Sequence, residues 1–143
     1  SQAREALVAG EEALAKGEPV LLFPEGTLTG DPDLWPMAGK TGIGRLALAS
    51  RAPVVPIAQW GSTKLLGRYG KMIKPFPRKA ISVAAGPPVD LSDLYDKPAD
   101  GAALREATSR IMVAITELLA GLRHEEPPAE LFDPRRNKRG AAS

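Results

Sequence analysis

The chain has 143 residues, a formal net charge of +2, 43% hydrophobic and 25% charged residues, enough for one domain with a core and too little net charge to argue for nucleic acid. The absence of cysteine excludes a disulfide framework, thiolate metal sites and a cysteine nucleophile. No apolar run approaches the roughly 18 residues that span a bilayer, and no signal peptide is visible.

The chain begins at Ser1 in a helical pattern with no lead-in, so a missing N-terminal part is expected. "AREALVAGEEALAKG" places Ala3, Leu7, Ala13 and Leu14 at helical spacing, with Lys16-Gly17 as its stop. Residues 19–23 form a short continuous apolar run, the pattern of a strand buried on both faces. Residues 24–40 are a loop rich in Gly, Pro and Asp. "TGIGRLALAS" reads as a helix and "APVVPIAQW" as a second buried strand, which together predict a parallel βαβ unit. "KAISVAAG" predicts a third strand and "DLSDLY" a helical turn. The longest helix is predicted over residues 102–122, with Leu104, Ala107, Ile111, Ile115, Leu118, Leu119 and Leu122 on one stripe and Glu106 and Arg110 paired on the wetter side. The expectation is an α/β fold with a mostly parallel sheet and flanking helices, spanning residues 1–123, followed by a basic, proline-rich tail over 124–143.

The inventory of reactive groups is short. His124 is the sole histidine and falls at the end of the last helix, where the dipole favours a solvated imidazole. No serine sits in a G-x-S-x-G elbow, and one histidine without cysteine makes a zinc site an unpromising reading. "GKT" at 39–41 resembles the end of a P-loop, but the required first glycine falls on Leu34. Lys40 before a helix N-terminus is still a possible phosphate seat, or simply a solvated lysine. Glu25 follows Pro24, which lacks an N–H and ends any ladder. A carboxylate there needs a hydrogen-bond partner or a functional reason. Gly26 and Thr27 add close backbone approach and donors.

"FPEGT", followed by "GKTGIGRLAL" and "APVVPIAQWG", resembles the glycerolipid acyltransferase family, specifically the 1-acylglycerol-3-phosphate acyltransferases. Residues 23–27 match the family's F-P-E-G-T-R motif, and Val55, Pro56 and Ile57 match its short hydrophobic V-P-[VI] motif. The resemblance implies a glycerol-3-phosphate acyltransferase-like fold. It also implies transfer of an acyl group from acyl-CoA or acyl-carrier protein to a lysophosphatidic acid, at the cytoplasmic face of a membrane, with no further cofactor or metal. The family's catalytic His-x4-Asp pair is absent, since the fifth residue after His124 is Ala129. No catalytic residue is therefore assigned, and this chain is expected to be an inactive C-terminal part of a longer enzyme. Leu28 stands where the family has arginine, so Lys40, with Arg45 one turn on, is expected to take the acceptor phosphate beside Glu25, Gly26 and Thr27. Residues 54–57 are expected as sheet core beneath the acyl donor, with Val55, Pro56 and Ile57 on the acyl-donor side.

Two questions stay open on the residues alone. The same fold without a base would be a non-catalytic lipid- or phosphate-binding module. The segment from Lys64 to Lys79 carries six cations and no acid among apolar residues, including Arg68, Tyr69, Met72, Ile73 and Phe76. It suits an anionic membrane face, the phosphates of CoA, or a solvated loop whose hydrophobes turn inward.

Overall fold

The structure, a computed structural model, describes residues 2–67 and 70–136. Arg68, Tyr69 and the tail residues 137–143, which figured in the basic segments, lie outside the described residues. Helix α1 spans Gln2–Ala15 and ends where Gly17, at φ 77°, turns left-handed, with Glu18 N donating to Ala13 O and Gly17 N to Leu14 O. Helix α2 spans Gly42–Ser50, β1 Ile57–Trp60, α3 Ser62–Leu65 and β2 Ser82–Ala85. A 3₁₀ turn at Ser92–Leu94 precedes α4, Gly101–Arg123. Asp100 caps α4 by accepting from Ala102 N and Ala103 N at 2.9 Å each.

The predicted parallel sheet is not what forms. Among the described residues the sheet has two strands, β1 and β2, and they run antiparallel with Ile57 opposite Ala85 and Trp60 opposite Ser82. The pairing continues beyond β1 as Gly86 N donates to Pro56 O and Val89 N to Val54 O. Residues 19–23 are not a strand. Pro19 and Pro24 have no N–H to give, and the Phe23 and Pro24 carbonyls are taken by Gly26 N and Lys40 N instead. With no neighbouring strand, Leu21 and Phe23 stand 73% and 74% exposed. The two elements read as strands around α2 therefore never become a βαβ unit.

Helix α4 organises the core. Its stripe of Leu104, Ala107 and Ile111 packs with Ala47 and Leu48 of α2 and with Leu91 and Leu94. Further along, Leu119 packs with Ala58 and Trp35. Successive strand residues alternate faces, so Ala58 is buried towards α4 while Ile57 and Val83 are exposed. The expectation that residues 54–57 are sheet core holds only in part: Val54 packs against the core. Pro56 is buried, but Val55 and Ile57 are about half exposed, because a two-stranded sheet has a helix on one face only. The Glu106–Arg110 pair forms at 2.8 Å, and Arg110 also holds both carboxylate oxygens of Asp93.

Candidate functional site

The loop 24–40 is built from its own short-range hydrogen bonds. Gly26, at φ 68°, closes a turn in which its N–H donates to Phe23 O. Thr29 Oγ1 donates to Trp35 O at 2.5 Å, and Asp31 Oδ1 accepts from Asp33 N and Trp35 N. Lys40 N donates to Pro24 O at 2.9 Å, which brings the two ends of the loop together. The 14 residues between Glu25 and Lys40 in sequence thus form a closed loop whose two ends meet.

Glu25 turns inward. Its Oε2 accepts from Met37 N at 2.9 Å, and burial raises its pKa while that hydrogen bond partly offsets the rise. The Lys40 side chain lies across Gly26, so closely that a Cβ at position 26 would be 2.8 Å from its Nζ. Lys40 is exposed and makes no ion pair among the described residues, with Glu25 or with any other acid. Thr27 is exposed, and Arg45 is exposed one turn into α2. The structure therefore gathers Glu25, Gly26 and Lys40 into one loop mouth. It does not bring Val55 and Ile57 into a pocket. Pro56 alone of that trio lines an open cleft of about 310 Å³, with Pro87, Pro88, Val89, Ala114 and Leu118. The Lys40 amide itself is engaged by Pro24 O.

Among the described residues no group of three or more His, Cys, Asp or Glu could hold a metal ion. His124 caps the C-terminus of α4 at φ 56°, exposed, as its position suggested. No helix of the described residues is long and apolar enough to cross a membrane.

Sequence reasoning missed the residues that hold this loop in place. Arg123 is sandwiched between Trp35 and Trp60, its guanidinium carbon 4.0 and 4.4 Å from the two ring centroids. Nη1 donates to Asp33 O at 2.8 Å and Nη2 to Glu125 Oε2 at 2.6 Å. The Phe132 carbonyl accepts from Ala38 N at 2.9 Å, so residues after α4 fold back across the loop. The signal available was compositional only: two tryptophans, each carried on a segment with Gly or Pro beside it, and an arginine at a helix end.

Residues 1–60 match the protein family described as Acyltransferase. Over 75 residues the chain is 40% identical to a 1-acyl-sn-glycerol-3-phosphate acyltransferase of Limnanthes alba, a stretch covering 52% of this chain. The chain spans about a quarter (25%) of the length of that curated relative. No solved structure matches it. Residues 1–60 thus carry the acyltransferase family's pattern, and a 75-residue stretch is similar to part of a 1-acyl-sn-glycerol-3-phosphate acyltransferase.

Proposed function

We propose that this chain supplies the acceptor-phosphate side of an acyltransferase that moves a fatty acyl group from acyl-CoA or acyl-carrier protein to a lysophosphatidic acid. The observation that carries the reading is the exposed Lys40 ammonium, without an ion pair among the described residues, lying over Gly26, the residue after Glu25 in the FPEGT segment. A phosphate monoester brought there gains a charge-assisted hydrogen bond from Lys40, with Arg45 as a second cation. Leu28, exposed where the family's arginine would stand, offers no such contact. Glu25 has one oxygen committed to Met37 N and leaves the other to accept from an acceptor hydroxyl. The acyl donor is assigned to the side of Val55, Pro56 and Ile57, where the exposed aliphatic groups of Val55 and Ile57 offer apolar contact. The acceptor being a lipid, the reaction is placed at the cytoplasmic face of a membrane, with the chain peripheral to it.

Transfer requires a base to take the proton of the attacking hydroxyl as the oxygen–acyl bond forms and the thiol of the donor leaves. Within these 143 residues no His-x4-Asp pair can serve; the second reading is a phosphate-binding module without catalysis. An acyl-transfer assay on this chain and on an N-terminally extended form, each with Lys40→Ala beside it, separates the two. The expected result is transfer by the extended form and about a tenfold higher KM for lysophosphatidate in its Lys40→Ala variant, the size of losing one charged hydrogen bond. The KM for the acyl donor stays unchanged. Transfer with an unaltered acceptor KM removes Lys40 from the site, and no transfer by either form leaves the binding module.

A further inference from the structure

The loop that carries Glu25 and Lys40 is closed by its own hydrogen bonds, yet it must be fixed relative to the helices before its two charges can face one ligand. Three elements converge where that happens. Asp33 and Trp35 come from the loop, Trp60 from the end of β1, and Arg123 from the last residue of α4. The Arg123 side chain is only 6% exposed, and its Nε is buried with no hydrogen-bond partner among the described residues.

That arrangement is informative because it is expensive. A guanidinium withdrawn from water with one N–H unsatisfied is unfavourable by itself, and Glu125, half exposed, returns only part of the loss. A leucine at the end of an amphipathic helix would fill the same space between two indoles. What a leucine cannot do is donate to the Asp33 carbonyl while stacking on both rings, and those contacts all bear on the loop's position. Trp35 in turn passes the constraint inward. Its carbonyl accepts from Thr29 and its amide donates to Asp31, and two residues later Met37 N holds Glu25.

We propose that Arg123 is a positioning residue: it pins loop 24–40 to the end of α4, and through Trp35 and Met37 sets where the Glu25 carboxyl and the Lys40 ammonium stand. For its consequence in acyl transfer this rests on the acceptor-side reading above; as a statement about the loop it does not. The chain contains two tryptophans and both stack on Arg123, so indole fluorescence reports on the clamp itself.

The test is amide hydrogen exchange on the whole chain with Arg123→Leu and the milder Arg123→Lys, which keeps the charge and loses the planar fork. Exchange at the Met37, Ala38 and Lys40 amides is expected to quicken at least tenfold in Arg123→Leu, and by less in Arg123→Lys. The α2 amides stay near their original rates, and tryptophan emission changes in both variants. If all amides quicken by one common factor, Arg123 serves global stability alone and the proposal falls. It falls equally if the loop amides are unmoved in both variants. Should the loop respond as expected while Lys40→Ala leaves the acceptor KM untouched, positioning stands and the acceptor-side reading is the one that fails.

Discussion

Glu25 is a carboxyl drawn partly out of water and given one backbone donor. Burial, the larger influence, lifts its pKa above the ordinary 4.5, and the Met37 N–H offsets part of that lift. The consequence for stability has a definite sign. Between the unfolded and folded pKa values the native chain binds more protons than the unfolded chain, so stability falls as pH rises from about 4.5 to the folded value. Glu25→Gln can still accept from Met37 N and carries no charge to desolvate. Urea unfolding of both proteins from pH 4 to pH 8 is expected to show the parent losing stability relative to Glu25→Gln across the lower part of that range, then running parallel to it. A difference that does not change with pH would show that the carboxyl is not desolvated. That Glu25 and Lys40 stand at the two ends of one loop could be read from sequence, because a proline, a glycine and a helix start bracket it. Arg123 could not, since nothing local distinguishes an arginine that stacks on two distant indoles from one in solvent.

At the scale of elements, the three longer helices were legible, while the short α3 and the pairing of the strands were not. The 3.6-residue stripe on residues 102–122 decides α4 locally, as does the Lys16-Gly17 stop for α1. A strand is different, because it is completed by a partner. Residues 19–23 have the composition of a buried strand but find no ladder, whereas residues 57–60 and 82–85 find each other across a 21-residue connection whose length no period in the sequence announces. Helix-on-helix contact supplies what the sheet does not, and it depends on Gly44. A Cβ at that position would lie 2.5 Å from Leu104 O, on the backbone of α4 itself, and 2.6 Å from the Thr108 side-chain Oγ1. Alanine is the better helix former by about 1 kcal/mol, yet Gly44→Ala is expected to destabilise the chain by about 1–3 kcal/mol through overpacking. Gly121→Ala, in the same helix as Leu104 but with nothing within 4 Å of its Cβ, is expected to stabilise by about 0.5–1 kcal/mol. Thermal melts of the two variants should therefore move in opposite directions. Matching shifts would mean that α2 and α4 are not in this close contact.

Across the whole molecule, charge and exposed apolar surface are segregated together. Residues 34–89 hold nine Lys and Arg and not one Asp or Glu, so all 17 acids lie before or after them. Within that block, Met72, Ile73 and Phe76 are 77%, 60% and 81% exposed, which answers the sequence question against inward-turned hydrophobes. Lys64, Lys71, Lys74, Arg78 and Lys79 flank them in sequence, and none forms an ion pair among the described residues. Free CoA phosphates would satisfy the cations and leave the aromatic and aliphatic groups in water. An anionic lipid surface accommodates both, with about 1 kcal/mol for each cation near the headgroups and apolar side chains at the acyl boundary. The peripheral membrane location proposed for this chain therefore makes a two-part prediction. Binding to vesicles of phosphatidylcholine with 30% phosphatidylglycerol, measured by co-sedimentation, should weaken at least tenfold between 0.05 and 0.5 M salt, as screening shortens the reach of the cations. Phe76→Ser with Met72→Ser should weaken binding at both salt concentrations, because the contribution it removes is apolar. Salt sensitivity without any loss in the double variant would reduce the contact to nonspecific electrostatics, and no binding to these vesicles would assign the exposed segment to a protein surface instead.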